Sequence, residues 1–454
     1  MRFFGAVLCC FAPPFAFVAC ADTTEEPKAT DGVEGDVQEF GTGPKLAFDE
    51  YSVLFTNPVC KKYTYGADQN VLSNKGEKLS GKPENVFCAP ADAAASATRD
   101  SSPQKKLIEW INDPETKEIF FAYLSFSNKV VGAEICKAVQ ERNVKVTFVL
   151  DRETDLSAAN TLLACEPGNK DPSFKPRMEL RGHDATIGFA HNKVFMINPR
   201  SESPRIVFSS GNLSSGVVLH HENWHFLRVN ARTHFAKAHV CLMDGMLDHY
   251  KTKAEYGGYI KTCRDGAGVG EESDLKTIFV PGDGGRAGNY VRDSVRQATR
   301  IDIAAHRFSW SLLRKELDAR FASGSPTEVR LVADDDIWWA GHGLENVPNT
   351  ADELGFVTDL QKDGLSVRYM ETNHGNGYLH HNKFMVFSLP KGDAVIAGAG
   401  NFTGTAFTDN FENFYWITIP SVVKAMKEQH DHLWSMATPE ENLPKENVLP
   451  PTNK

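Results

Sequence analysis

Apolar and polar positions alternate along the chain in a way that predicts the same run of elements twice. In the first half, 51–58 is a short β-rich run closed by Pro58, and 104–112 sets Leu107, Ile108 and Ile111 on one helical face. A continuous apolar run at 119–125 predicts a buried strand, 130–142 a helix, and 144–150 another strand ending at Asp151. The second half replays this order: strand 276–280, helix 289–299, strand 301–305, helix 311–322, and strand 328–333 ending at Asp334. Amphipathic helices are expected at 233–247 and 421–434, one closing each half. Strand and helix alternating at these lengths imply an α/β architecture. The polar stretch up to about Ala97 reads as a surface insertion, and the glycine-rich 265–271 as the linker between domains at 46–270 and 271–436. The proline-containing 437–454 reads as a tail that is disordered or draped on the surface.

A specific stretch repeats inside this pattern. Ala190-His191-Asn192-Lys193 and the apolar run after it return as His380-His381-Asn382-Lys383 and its own apolar run. Ser210-Gly211-Asn212 matches Ala399-Gly400-Asn401, and Glu222-Asn223 matches Glu412-Asn413. One common interval separates the two histidines, the two lysines and the two glutamates, and the two glycine-linked asparagines differ from it by one residue. A duplicated domain accounts for that register.

The length of 454 residues suits two or three domains, and the hydrophobic share of 41% suits a soluble globular chain. Most of the formal net charge of −10 lies between residues 21 and 40, so the remainder is close to neutral. That argues against a global basic field for gathering nucleic acid. Arg2 followed by the apolar, proline-broken run to Val18 reads as a secretory signal over 1–20. Phe17-Val18-Ala19-Cys20 has the form of a lipoprotein box, which would tether an exported envelope protein to the membrane through acylated Cys20; ordinary cleavage would instead secrete it. The acidic 21–45 would then be a solvated tether. Beyond the leader, Cys60, Cys88, Cys136, Cys165, Cys241 and Cys263 remain, an even set for an oxidising compartment, with three local pairs in chain order as the expected bridges.

Residues i and i+2 of a strand share a face, so His191 points with Lys193 and His381 with Lys383, while a second strand in each half delivers Asn212 or Asn401. If the halves pack about a pseudo-twofold axis, one site collects two imidazoles, two ammonium groups and two carboxamides. Lysines and amides can stabilise the non-bridging oxygens of a phosphodiester. One neutral imidazole can attack phosphorus while the other, protonated, serves the leaving oxygen. Glu222 and Glu412 are placed to accept the second ring N–H of a histidine and fix its tautomer.

These paired His-x-Lys stretches, each followed by an Asn turn and a Glu-Asn pair, resemble the phospholipase D superfamily over roughly residues 46 to 436. The resemblance implies duplicated domains, each a mixed β-sheet flanked by helices, with one active site at their interface. It also implies covalent catalysis with His191 as nucleophile and His381 as acid, no metal and no cofactor, and a site complete within a monomer. The Asp that ends the family motif is replaced by Asn198 and Ser388, a loss shared with the tyrosyl-DNA phosphodiesterase branch, whereas the Glu-Asn pair points to the phospholipase and nuclease branches. Phospholipid is the favoured substrate, nucleic acid the alternative, and a non-catalytic binding module the least favoured reading. His220-His221 next to Glu222 invites a metal, yet Asn410 and Phe411 stand at the matching positions, which favours a satisfied pair. Trp338-Trp339 is expected in a loop at the site's rim, and His306-Arg307 at a strand end is expected in a salt bridge or against a phosphate.

Overall fold

The computed structural model describes residues 43–62, 86–184, 186–342, 350–373 and 377–443. In the first half β1 (Phe48–Thr56), β2 (Lys61–Lys62) and β3 (Val86–Phe87) precede α1 (Pro90–Thr98) and α2 (Pro103–Asn112). Then come β4 (Glu118–Tyr123), α3 (Lys129–Arg142), β5 (Lys145–Asp151), α4 (Ser157–Leu163), β6 (Arg177–Arg181), β7 (Lys193–Ile197) and β8 (Arg205–Ser209). The half ends with α5 (Gly216–Leu219), β9 (Glu222–Val229), α6 (His234–Asp248) and α7 (Lys253–Asp265). The second half runs β10 (Leu275–Val280), α8 (Gly284–Gln297), β11 (Arg300–Ala305), α9 (Ser311–Ala322), β12 (Glu328–Asp334), α10 (Asp336–Gly341), α11 (Thr350–Asp363) and β13 (Ser366–Met370). It closes with β14 (Lys383–Ser388), β15 (Ala394–Gly398), α12 (Gly404–Thr408), β16 (Glu412–Ile417), α13 (Pro420–Met436) and β17 (Thr438–Pro439).

Two mixed sheets result, and their strand orders correspond. The first is β1-β9-β8-β7-β4-β5-β6, and the second is β10-β16-β15-β14-β11-β12-β13 with β17 added at its edge. In each, three parallel strands carry the βα crossovers and antiparallel strands complete the sheet. The central strands β4, β7, β14 and β15 are buried on both faces, which is why they read as unbroken apolar runs. One face of each sheet packs with α6 and α13 into a single shared core, where the Phe208 and Tyr415 rings stack at 3.6 Å. The opposite faces are covered separately, with Leu107, Val131 and Ile135 among the residues over the first sheet and Val291, Leu317 and Val357 among those over the second. Polar clamps cross the shared core: Asn57 and Gln429 exchange two hydrogen bonds, and His239 Nε2 lies 2.8 Å from the Tyr415 hydroxyl.

The α/β duplication expected from the sequence is present, and several local expectations need correction. Within the expected insertion β2 pairs with β3 and α1 follows, its first turn set by Pro90, while residues 63–85 lie outside the described residues. Pro44 accepts a hydrogen bond from Ser273 N at 2.7 Å, so the end of the expected tether is docked; the leader and Cys20 lie outside the described residues. The tail is structured as far as Leu443: Thr438–Pro439 pairs with β13, and Leu443 is only 4% exposed in the second core. Residues 444–454 of that tail lie outside the described residues. Trp338 and Trp339 belong to α10, and Trp339 is buried, so the apolar face of a helix decides their place. The cysteines pair as 60 with 88, 136 with 165 and 241 with 263, the last fastening α7 to α6.

Candidate active site

Both histidines enter the site on the short segment that leads into a strand, and an acid ending the strand two places away in the sheet fixes that segment. Ala190 N donates to Asp151 Oδ2 at 2.8 Å, and His380 N donates to Asp334 Oδ2 at 2.7 Å. The halves then cross over. His191 N donates to Phe411 O and Phe411 N to Phe189 O, while His221 N donates to Leu379 O and His381 N to His221 O. The two entry segments are thus held by backbone bridges to the opposite half, Ala190 beside Phe411 and His221 beside His380.

The Glu-Asn pairs make the same exchange with their side chains. His191 Nδ1 lies 2.8 Å from Glu412 Oε2, and His381 Nδ1 lies 3.3 Å from Glu222 Oε1. Each histidine therefore faces the glutamate of the other half. Asn413 Oδ1 accepts from Lys193 N at 2.8 Å, and Asn223 Nδ2 donates to Asn382 Oδ1 at 3.0 Å. Gly211 is required by this packing, because a Cβ there would stand 1.8 Å from Glu222 Oε2.

Lys193 Nζ is 3.0 Å from His191 Nε2, and an ammonium can only donate, so that nitrogen accepts and the ring proton resides on Nδ1 facing Glu412. Lys383 Nζ donates to His381 O at 2.9 Å and, at 3.4 Å, to Ser210 O of the opposite half. Burial pushes the His191 imidazole down to about 4 despite the Glu412 carboxylate, with Lys193 and Lys383 adding to the shift. Burial likewise lowers Lys193 to about 8, against the pull of Glu412 and Glu222. His381 and Lys383 are also held well below their ordinary values, first by burial and then by neighbouring cations. Burial thus disfavours charge on all four groups, and an entering anion would favour their protonated forms.

Of the residues expected from the sequence, His191, Lys193, His381, Lys383, Glu222 and Glu412 converge. Asn212 and Asn401 stand on the turns after β8 and β15, next to the segments that contact Lys383 and Glu222 in one half and Phe414 in the other, each with a buried Oδ1 that has no partner. Asn198, where the motif Asp is expected, lies beyond the far end of β7, roughly 16 Å of strand from the site. There its Oδ1 accepts from Lys117 N and Glu118 N and its Nδ2 donates to Glu115 O, with a φ of 50°. Ser388 ends β14 in the same way, its carbonyl accepting from Thr299 N. Arg307 lies against buried Asp336 and Glu353, which accounts for it as an ion-paired residue.

The sequence reading gave no role to Asp151, Asp334, Asn223 or Asn413. Their signal was present, since each acid ends the third strand expected in its half from the sequence and both asparagines follow the repeated glutamate. His220 departs from symmetry: its Nδ1 bonds Glu222 Oε1 at 3.0 Å, while Asn410 Nδ2 donates to Glu412 Oε1 at 3.1 Å in the matching place.

A family model described as "Cardiolipin synthase, PLD-like domain" matches residues 293–434, within which one His-x-Lys segment and its Glu-Asn pair lie. Over those residues the chain is similar to the phospholipase D superfamily. A curated member, the mitochondrial cardiolipin hydrolase of Xenopus laevis, is 29% identical over 111 residues, which is 24% of this chain and 44% of that protein, so the match spans less than half the relative's length. Among solved structures, the phosphatidylserine synthase of Haemophilus influenzae Rd KW20 aligns with a TM-score of 0.50 at 14% identity, over 72% of this chain and 83% of its own. That likeness is one of fold, and it reaches well beyond the second half.

Proposed function

We propose that the protein is a phosphodiesterase acting on phospholipids through a phosphohistidine on His191. The observation that carries this reading is the reciprocal pairing of each histidine with the other half's glutamate, beside two buried lysines. His191 suits the nucleophile because Nε2 carries the lone pair while Nδ1–H is engaged by Glu412. Nε2 attacks phosphorus, the bond to the leaving oxygen breaks, and His381 in its protonated form supplies that oxygen's proton. The anionic diester entering between the lysines brings the negative charge that favours the imidazolium. Water then gives a proton to His381, attacks phosphorus, and breaks the N–P bond to restore His191. Lys193, Lys383, Asn212 and Asn401 serve as donors to the non-bridging oxygens.

The name of the curated relative supports lipid as the substrate class. Three disulfides support a working place in an oxidising compartment, in keeping with the expected leader. Among the described residues no helix is long and apolar enough to cross a membrane; acylation of Cys20, expected from the sequence, would supply an attachment. The test is to assay the purified chain, with chelator present, on labelled phospholipids and on single-stranded and duplex DNA. Head-group release is expected; oligonucleotide cleavage alone would replace lipid by nucleic acid, and no turnover on either would leave the binding-module reading.

A further inference from the structure

The two histidine–glutamate pairs are unequal, and the inequality has metal-ligand chemistry. Glu222 Oε1 faces two imidazole nitrogens, His220 Nδ1 at 3.0 Å and His381 Nδ1 at 3.3 Å. Only His220 has the alignment of a hydrogen bond, and His381 Nδ1 is left buried without one. The rings lie edge to face with centroids 5.5 Å apart. The residues are 8%, 0% and 6% exposed, and their three donor atoms lie within 4.8 Å of one another. Glu222 Oε2 is already committed to Trp224 Nε1 at 3.0 Å, which fixes the carboxylate with Oε1 toward the imidazoles. Two nitrogens and one carboxylate oxygen form a set suited to zinc, whose bonds to such atoms are about 2.0–2.2 Å, and poorly suited to magnesium or calcium. In the other half Asn410 replaces the second imidazole, and no such set exists around Glu412 among the described residues.

We infer that His220, Glu222 and His381 form an inhibitory zinc site that disables His381. Zinc takes the Nδ1 lone pairs of both imidazoles and the Oε1 of Glu222, displacing the ring protons from that side. His381 Nε2 then carries the proton of a neutral, metal-bound ring. Such a ring has no lone pair to accept a proton from water, and it is a far weaker acid than an imidazolium. The inhibition rests on the function proposed above, whereas the metal site itself does not. A protein that needs no metal for turnover would in this way still be switched off by one.

The test is a titration of the full chain with zinc alone against a chromophoric chelator, followed by thermal unfolding with and without zinc. One equivalent is expected to bind, raising the melting temperature. His220→Asn, which copies the residue found opposite, should bind at least about tenfold more weakly because one of the three protein ligands is gone. His220→Gln serves as a second variant, circular dichroism checks that both are folded, and His432→Asn controls for surface histidines. Equal affinity in wild type and both His220 variants, or loss of binding in His432→Asn, would overturn the site. Activity is then measured with and without zinc. Full turnover by the zinc-loaded chain would overturn the inhibitory role while leaving the phosphodiesterase reading intact, and a chain inactive even with chelator would instead count against that reading.

Discussion

The His191 side of the site and the His381 side are built from the same elements, yet they are tuned differently. His191 has a glutamate oxygen to itself at 2.8 Å, with Asn410 occupying the other oxygen. His381 shares an oxygen with His220 and holds it at 3.3 Å without good alignment. A short, single acceptor fixes one tautomer, as a nucleophile requires. A looser, shared acceptor leaves a ring free to gain and lose a proton, as an acid and base requires. Duplication supplied two copies of one constellation, and under the proposed mechanism the difference between His220 and Asn410 would separate their duties.

The largest effect that would break this contrast comes from the histidines. His191→Ala should lose roughly 10³-fold or more in turnover on every substrate. His381→Ala should lose as much on lipid but still release one equivalent of nitrophenolate from an activated diester, whose leaving group needs no proton, and then stall as a phosphohistidine. Rapid-quench kinetics read both, and a burst from His191→Ala would reverse the roles. Next in size, Glu412→Gln should cost about 10- to 100-fold in kcat and Glu222→Gln less, because the first removes a dedicated orienting partner. Equal losses would erase the asymmetry.

A smaller effect is expected from pH. Lys193, lowered by burial to about 8, binds an anion as the ammonium and is deprotonated as pH rises through that value. Sulfate keeps its charge over this range, so its affinity should fall above pH 8, by at most about tenfold per unit for each proton taken up on binding. Calorimetry in buffers of different ionisation enthalpy would detect that uptake, and a flat affinity would show that Lys193 stays charged. The smallest effect lies at the motif's end. Asn198→Ala should destabilise by about 1–2 kcal/mol through its lost hydrogen bonds, with kcat per folded molecule unchanged. Asn198→Asp should not raise kcat, since the position is a strand tie remote from the chemistry; a rise would mean that the motif Asp has a catalytic part after all.

Much of this was legible in the chain because it is local or repeated. The paired apolar runs foretold strands such as β4, β7 and β14, and the common interval between His191 and His381 foretold the duplication. What was not legible depends on contacts between distant segments. Nothing in the spacing of Glu222 and Glu412 says that each serves the other half's histidine, because that follows from how the sheets join at Ala190–Phe411 and His221–His380. Asp151 and Asp334 were visible as strand ends, but their bonds to Ala190 N and His380 N exist only after β5 and β12 are in register. The prolines of the tail suggest a segment disordered or draped on the surface, and its pairing through β17 is not legible because two residues on an open sheet edge suffice for it.

The exchange of glutamates also orders events in time. A growing chain presents His191 long before residue 412 exists, and until β16 is in place that imidazole has neither the Glu412 acceptor nor the Phe411 carbonyl that holds its backbone. A nascent or truncated first half therefore carries the motif without the machinery. The site is incomplete until β16 has folded.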